Sequence, residues 1–516
     1  MLNRRVVVTG IGLISPLSIT VDGFWESLLS GRSGVRPFCP NWLTGAPISV
    51  AAPALFSGDI DEFGVTDTAQ RKAIKKGLKL MSREIQMAVA ASSRALSHAR
   101  IFIGQFPSER VGISFGSDYI LTTVEDVIDA VRACAFFGNK TTSANLDNQF
   151  TSPNIAQIER SVLPFPSSSD SCGDSAPAKF DFSKWGNIGL SQMQPLWQLK
   201  YLPNMPASHI AILNNFHGPS NSITLREASV GAVVGESAAI IRGGRADIML
   251  VGVTGGWLHP SKMIAALRQE ELAAERCMPF DVRRSGTVLG DGAAAIVLEE
   301  REHAKRRGAT IWCEIIAGSC KIKRDRQNTD YRKETIKTVI RDVLKYAKYT
   351  NQNNKFTSQF DKRANQENKN TSQFNKRANQ ENESASQNGG RVCEVGGANW
   401  RIGHINAHGL GDRVLDKLEA EAINEIFGGG KETIPVAAAK GFWGNTGASA
   451  GMFELIASIL AIKNQKFFPT INNDEVAADC PIKIADSDSD LPGDSFIKIA
   501  VNPQGHASAI LVKADS

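Results

Sequence analysis

The stretch over residues 218–252 limits the possible folds of this chain most strongly. It reads GPSNSITLREASVGAVVGESAAIIRGGRADIMLVG. A β-favouring segment at 222–225 runs directly into a helical period that starts near Glu227, and one face of that period carries only small or apolar side chains: Val230, Val234, Ala238 and Ile241. Gly243-Gly244 ends the predicted helix, and residues 246–252 predict a buried strand. The turn between strand and helix therefore presents Glu227 at a helix N-terminus, where free N–H groups and positive potential favour an anion.

The remaining sequence alternates short apolar strands with helical periods. Strands are predicted at 5–8, 110–116 and 294–298 in the first half, and at 400–406, 436–440, 496–501 and 508–512 in the second. Helices are predicted within 68–98 and at 299–308, 416–427 and 452–462. Such alternation predicts an α/β architecture whose sheets are mostly parallel.

Two stretches depart from this pattern. Residues 138–190 are rich in Ser, Asn, Pro and Asp, and they predict an irregular surface excursion. Residues 349–390 are dominated by Asn, Gln, Lys, Ser and Glu and hold a direct repeat of fourteen residues, starting at Thr357 and again at Thr371. Only Phe360 and Phe374 could be buried there, so the prediction is a disordered insertion; the alternative is a docking segment for a partner.

Composition excludes several classes of protein. A net charge of +5 over 516 residues is small, which disfavours nucleic-acid binding. The N-terminus reaches Gly and Pro before any apolar segment long enough for a signal peptide or a membrane span, so a cytoplasmic location is expected. The eight cysteines contain no CxxC pair, which argues against disulfide frameworks and zinc sites. Gly10-Ile11-Gly12 lacks the third glycine of a dinucleotide fingerprint, so no such cofactor is expected.

Several segments together resemble one family. They are TGIGLISP from Thr9, LSGRSGV from Leu29, the strand-to-helix turn at Glu227 (called the elbow below), PFD from Pro279, GTVLGDG from Gly286 and NAHG from Asn406. These are similar to the β-ketoacyl-ACP synthases, the condensing enzymes of the thiolase superfamily. The resemblance implies a thiolase-like α/β fold, with duplicated βαβαβαββ halves in a five-layered α-β-α-β-α sandwich. The halves would cover residues 1–308 and 309–516, each carrying one of the two irregular stretches.

The resemblance also implies a catalytic site. Family members carry the acyl chain on a cysteine at the elbow, and Glu227 stands at that position here. The first catalytic histidine corresponds to His408, the lysine to Lys440, and the second histidine to Asn445. Because opposite charges attract, His408 and Lys440 are expected to hold Glu227 in a salt bridge.

The implied substrate-binding positions differ from the family pattern as well. Leu410 and Asp412 stand where two threonines would contact phosphopantetheine. The loop that normally gates the pocket corresponds to residues 503–506, which end in Gly505 and His506. The resemblance implies no cofactor beyond the phosphopantetheine of an acyl carrier protein. That carrier protein and a second subunit, either identical or a Cys-bearing ketosynthase, are the expected partners.

The elbow residue decides the predicted function. A carboxylate is a poor acyl acceptor, because the mixed anhydride it would form is higher in energy than a thioester, and a negative charge opposes the developing enolate. Condensation is therefore not expected from this chain alone, and a partner like the chain-length factors of polyketide systems is the favoured interpretation. The alternatives are a malonyl-ACP decarboxylase, an acid–base enzyme that uses Glu227 and His408 on acyl thioesters, and a fold whose pocket has decayed.

Overall fold

The computed structural model describes residues 4–39, 48–136, 179–193, 196–269, 272–323, 331–347, 391–395, 398–428 and 433–515. The strands are β1 Val6–Ile14, β2 Arg36–Pro37, β3 Val50–Ala51, β4 Val111–Ser117, β5 Ala135–Phe136, β6 Lys179–Phe180, β7 Ser220–Ile223, β8 Ile248–Gly256, β9 Asp291–Glu300, β10 Cys313–Ile322, β11 Arg391–Val395, β12 Ala398–Ile402, β13 His404–Asn406, β14 Pro435–Ala437, β15 Lys483–Ile484, β16 Ser495–Val501 and β17 His506–Lys513. The helices are α1 Val21–Leu29, α2 Thr68–Gly77, α3 Arg83–Ala99, α4 Ile128–Cys134, α5 Phe182–Lys184, α6 Met205–Asn214, α7 Ser229–Arg242, α8 Pro260–Gln269, α9 Arg301–Arg306, α10 over 331–347, α11 Arg413–Phe427, α12 Lys440–Trp443 and α13 Ala448–Asn464.

The main sheet contains the same five-strand arrangement twice. The first set has the order β1-β9-β8-β4-β7, and the second has β10-β17-β16-β13-β14 with β15 added at the edge. In each set the first two pairings are antiparallel and the next two are parallel. The two sets meet where β1 pairs with β10. Identical order and strand direction are the structural mark of the duplicated halves that the resemblance implied.

Helices complete five layers in this part of the chain. α7 and α13 share one apolar cluster with strands of both sets, so they form the central layer. α3 packs on the outer face of the first set, and α10 and α11 pack on the outer face of the second. The predicted α-β-α-β-α sandwich is thereby confirmed.

The glycines of the Gly-x-Gly pair have a packing role. Both lie inside β1, and a Cβ built on Gly12 would lie 2.1 Å from the carbonyl oxygen of Ala91 in α3. The absent side chains allow α3 to approach the strand closely, which is a structural reason for glycine that involves no nucleotide.

Element boundaries differ from the prediction at several points. The predicted strand over 400–406 is divided at Gly403, where a Cβ would lie 2.1 Å from the carbonyl oxygen of Pro492. The predicted strand over 436–440 ends at Ala437, and Lys440 begins α12 instead. The predicted strand over 246–252 is β8, which begins at Ile248 and runs on to Gly256. The close approach of backbone segments and the tertiary packing set where these strands begin and end, whereas the sequence shows only where apolar residues follow one another.

Contacts divide the chain into two compact units, one of residues 122–197 and one of the remaining residues. The smaller unit contains α4, the β5–β6 pair, α5 and a π-helical turn at Trp185–Gly189. Most of the predicted excursion over 138–190, and all of the predicted insertion over 349–390, lie outside the described residues. Within the described part of the chain, each helix is too short or too polar to cross a membrane.

Candidate active site

The elbow lies between β7 and α7. A short 3₁₀ turn over Arg226–Ala228 precedes α7, so the α-helix begins two residues later than the helical period predicted. The Oγ of Ser229 accepts a hydrogen bond of 3.0 Å from the amide of Leu225 and closes the turn. The predicted face of α7 is buried, since Val230, Val234 and Ala238 are all fully inaccessible. The turn thus holds Glu227 inside the protein, with 1% of its surface exposed.

The Glu227 carboxylate is bound through one oxygen. Its Oε1 accepts hydrogen bonds from Asn445 Nδ2 at 3.0 Å and from Arg226 Nη2 at 3.1 Å. Its Oε2 is buried and has no hydrogen-bond partner among the described residues. The expected salt bridge to His408 and Lys440 is wrong, because the neighbouring guanidinium of Arg226 supplies the positive charge instead.

Lys440 belongs to a separate buried network. Its Nζ donates to His408 Nδ1 at 3.1 Å, to the His408 carbonyl at 2.5 Å and to Glu454 Oε1 at 2.5 Å. The other oxygen of Glu454 lies 2.6 Å from Lys498 Nζ. Lys440, Glu454 and Lys498 are all fully buried. Three acceptors use all three protons of the Lys440 ammonium group, so none is available for Glu227.

The same network fixes the state of His408. Burial, together with the nearby charges of Lys440, Lys498 and Arg226, holds the pKa of His408 well below its usual value, so the imidazole is neutral. Because Lys440 donates to Nδ1, the ring proton lies on Nε2, which is buried and has no hydrogen-bond partner among the described residues. The backbone of this segment is anchored by Glu419, which accepts from the amides of His408 and Gly409 at 2.7 and 2.9 Å. A neutral imidazole with an N–H donor is thus held rigidly for a ligand acceptor.

Asn445 and Asp118 form the other side of the site. Asn445 accepts a 2.9 Å hydrogen bond from the Gly447 amide through Oδ1, which leaves Nδ2 to donate to Glu227. One residue further on, the amide of Ala448 donates to Asp118 Oδ1 at 3.1 Å. Burial, together with the negative charge of Glu227, raises the pKa of Asp118 to about 7, although Lys262, Arg226 and the Ala448 amide act in the opposite direction.

Sequence reasoning missed Asp118. The residue follows β4, which pairs in parallel with the elbow strand β7. An acidic side chain directly after a predicted buried strand was the available signal, since functional groups of α/β proteins gather at the carboxyl ends of parallel strands. The Asp118 side chain fits here because residue 447 is glycine. A Cβ built at Gly447 would lie 1.9 Å from Asp118 Oδ2.

The predicted substrate-binding positions have other contacts here. Asp412 caps α11, accepting from the amides of Val414 and Leu415. Leu410 is buried, and its carbonyl accepts from Cys277 Sγ at 3.2 Å. Contact of either residue with a ligand stays a prediction.

Gly505 and His506 lie in a tight turn that reaches the elbow. Asn502, at the start of this turn, donates from Nδ2 to the Leu225 carbonyl at 3.0 Å. Arg226 Nη1 donates to Gln504 Oε1 at 3.4 Å. The turn over residues 502–506 therefore contacts Leu225 and Arg226, the two residues directly before Glu227.

Cys277 is the described thiol that contacts the His408 segment. It is fully buried, and burial raises its pKa to about 12, with the charge of Asp416 adding to the rise. A thiol in this state is a hydrogen-bond donor to a backbone carbonyl and a very poor nucleophile. Cys277 does not replace a cysteine at the elbow.

Comparisons with known proteins agree with the fold. The family described as "Beta-ketoacyl synthase, N-terminal domain" matches residues 3–154 and 184–304, and "Beta-ketoacyl synthase, C-terminal domain" matches residues 364–474. The chain is 25% identical over 491 residues to the 3-oxoacyl-[acyl-carrier-protein] synthase 2 of Coxiella burnetii, covering 93% of this chain and 91% of the relative. It is 24% identical to a putative polyketide beta-ketoacyl synthase 1 of Streptomyces cyaneus, covering 93% and 91%.

Solved structures share the fold. The ishigamide ketosynthase/chain length factor superposes with a TM-score of 0.70 at 20% identity and covers 100% of both chains. A beta-ketoacyl synthase from Burkholderia phymatum gives a TM-score of 0.69 at 20% identity, covering 99% of this chain and 100% of that one. With family models that match both halves and relatives aligned along almost the whole length, the chain belongs to the beta-ketoacyl synthase family of fatty acid and polyketide biosynthesis.

Proposed function

We propose that this chain is a non-condensing subunit that pairs with a Cys-bearing ketosynthase and helps to set the length of the acyl chain. The observation that carries the proposal is the buried Glu227 carboxylate at the elbow, bound by Asn445 and Arg226. The ion pair holds the carboxylate in place and lowers its tendency to attack a thioester.

The chemistry of the site supports this proposal. Condensation needs a thiolate that accepts an acyl group and donors that stabilise the enolate of the extender unit. Here His408 supplies one N–H donor, while the amide of Asn445 is already directed at Glu227. Removing a single donor of this kind costs about 2.7–4 kcal/mol of transition-state stabilisation in other enzymes. Among the residues that the structure describes at the elbow, Glu227 takes the place of the nucleophile, and the Asn445 amide that could act as a second donor is bound to it.

The fold is compatible with a partner role. One solved structure of similar fold is described as a ketosynthase/chain length factor, and another as a type II polyketide acyl-carrier protein in complex with its ketosynthase. We infer that an acyl carrier protein and a ketosynthase are the partners of this chain as well.

Co-expression with a Cys-bearing ketosynthase tests the proposal. We expect the two chains to co-purify as a stable complex, and we expect the length distribution of products to differ from that of the ketosynthase alone. The acyl group should be found only on the cysteine of the partner. If neither a complex nor a change in product length is found with any ketosynthase encoded beside this chain, the proposal is wrong.

Decarboxylation of malonyl-ACP is a second candidate function. It is favoured by one observation, the neutral His408 whose Nε2 proton has no partner among the described residues and could bind a thioester carbonyl. Carbon dioxide release from malonyl-ACP, compared between the wild type and H408A, separates the two functions. We expect no release above the uncatalysed rate, because the negative charge of the Glu227 carboxylate at the elbow opposes enolate formation. An acid–base pair of Glu227 and His408 has no comparable support, since Arg226 rather than His408 binds the carboxylate.

A further inference from the structure

Arg226 joins three separate parts of the protein, although it is not one of the site positions implied by the family resemblance. Its Nη2 donates to Glu227 at 3.1 Å, and its Nη1 donates to Gln504 at 3.4 Å. The guanidinium also lies over the ring of Trp257, 4.6 Å from the ring centroid, which is within the range of a cation–π contact. The Arg226 side chain is 13% exposed, whereas the Glu227 side chain that it binds is only 1% exposed.

The backbone at Arg226 has an unusual conformation. Its backbone φ angle is +52°, in the left-handed region that residues other than Gly, Asn and Asp seldom adopt. Such residues persist where surrounding contacts over-determine them, and they concentrate at functional sites. The contacts with Glu227, Gln504 and Trp257 help to hold this side chain in place.

The turn over residues 502–506 depends on the elbow for its position. Inside the turn, the amide of Gly505 donates to the Asn502 carbonyl at 3.0 Å, and the amide of His506 donates to Asn502 Oδ1 at 3.0 Å. Toward the elbow, Asn502 Nδ2 donates to the Leu225 carbonyl, and Gln504 accepts from Arg226. One of these two links therefore passes through a guanidinium whose other partner is the Glu227 carboxylate.

We infer that Arg226 is a positioning residue that couples the charge of Glu227 to the 502–506 turn, so that the turn loses its link through Gln504 and becomes looser when the Arg226–Glu227 ion pair is broken. The coupling arises because the ion pair fixes the plane of the guanidinium, and that plane directs Nη1 at Gln504. Without the negative charge, the guanidinium keeps its place over Trp257 but loses the ion pair that helps to orient it. This inference concerns the elbow and the turn alone, and it holds whether or not the proposed subunit role is correct.

Hydrogen exchange of the full-length chain, followed by mass spectrometry on a peptide that covers residues 502–506, tests the coupling. E227Q is the decisive variant, because it is isosteric and removes only the charge, while Gln504 and Asn502 keep every atom. We expect the amides of Gly505 and His506 to exchange about tenfold faster in E227Q, the effect of losing one charge-assisted hydrogen bond. R226Q should give the same increase, and E227Q/R226Q together should give no further increase.

Two variants serve as controls. W257F retains an aromatic ring beneath the guanidinium and should leave the exchange of the turn unchanged, which separates the charge of Arg226 from its packing. K483Q removes a surface ion pair with Asp490 at the distant sheet edge and should also have no effect. The inference is overturned if E227Q exchanges at the wild-type rate, whether or not R226Q is faster. If R226Q does not fold, E227Q decides the question by itself.

Discussion

The buried network of Lys440, Glu454 and Lys498 provides the sharpest test of the site's electrostatics. Glu454 Oε1 lies 2.5 Å from Lys440 Nζ, and Glu454 Oε2 lies 2.6 Å from Lys498 Nζ. None of the three side chains is exposed. E454Q keeps the shape of the side chain but removes the carboxylate charge that both buried ammonium groups contact. Breaking a buried ion pair from one side costs about 3–5 kcal/mol, since the remaining charge stays desolvated. We therefore expect the free energy of unfolding to fall by about 3–5 kcal/mol in E454Q.

Urea denaturation of the wild type and the variants measures this change. E421Q on α11 is the matched control, because Glu421 pairs with Lys333 at 3.1 Å but is partly exposed, and such a pair contributes about 1 kcal/mol or less. The double variant E454Q/K498M should recover part of the loss, since it removes one of the two uncompensated ammonium groups. A destabilisation by E454Q no larger than that by E421Q would refute the reasoning.

Three further predictions concern the residues around the elbow. The pKa of Asp118 is about 7 in the folded protein against an ordinary 3.8, so between these pH values the folded protein keeps a proton that the unfolded chain has released. The free energy of unfolding should therefore decrease by up to about 4 kcal/mol as the pH rises from 4 to 7. D118N should reduce this pH dependence in denaturation experiments, and an unchanged dependence would contradict the assignment. Cys277, with a pKa of about 12, should stay unmodified by iodoacetamide at pH 8, while the exposed Cys39 is labelled. Peptide mass spectrometry measures both reactions. Labelling of both cysteines at equal rates would show that the Cys277 thiol is accessible and ionised. E227C should acquire the mass of an acyl group when incubated with an acyl thioester, because the thiol restores a nucleophile at the elbow, while the wild type should acquire none. An acyl adduct on wild-type Glu227 would overturn the chemistry proposed for the elbow.

Much of the architecture could be predicted from local pattern. Val230, Val234 and Ala238 share a helical face, and that face is buried between the two sheets. Gly244 ends α7 with φ of +73°, as the Gly-Gly pair predicted. These features depend on contacts between residues close in sequence, or on the burial of a periodic apolar face, and a single sequence carries both kinds of information.

The partners of the charged side chains required the tertiary structure. The sequence identified Glu227, His408 and Lys440 as site residues, but it did not indicate that Arg226 would bind the carboxylate. Lys440 is unavailable because Glu454, fourteen residues further on in α13, and His408 use its three protons. Asp118 was missed because its proximity to Glu227 depends on the parallel pairing of β4 with β7 across about a hundred residues of chain.

The amino-acid sequence by itself determined the family, the duplicated α/β architecture and the carboxylate at the elbow, since each depends on residue identity and local order. Only the tertiary structure decided which cation pairs with that carboxylate and which nitrogen of His408 keeps its proton. Those outcomes depend on how buried groups from distant segments share a limited number of donors and acceptors. No local pattern in the sequence specifies that distribution.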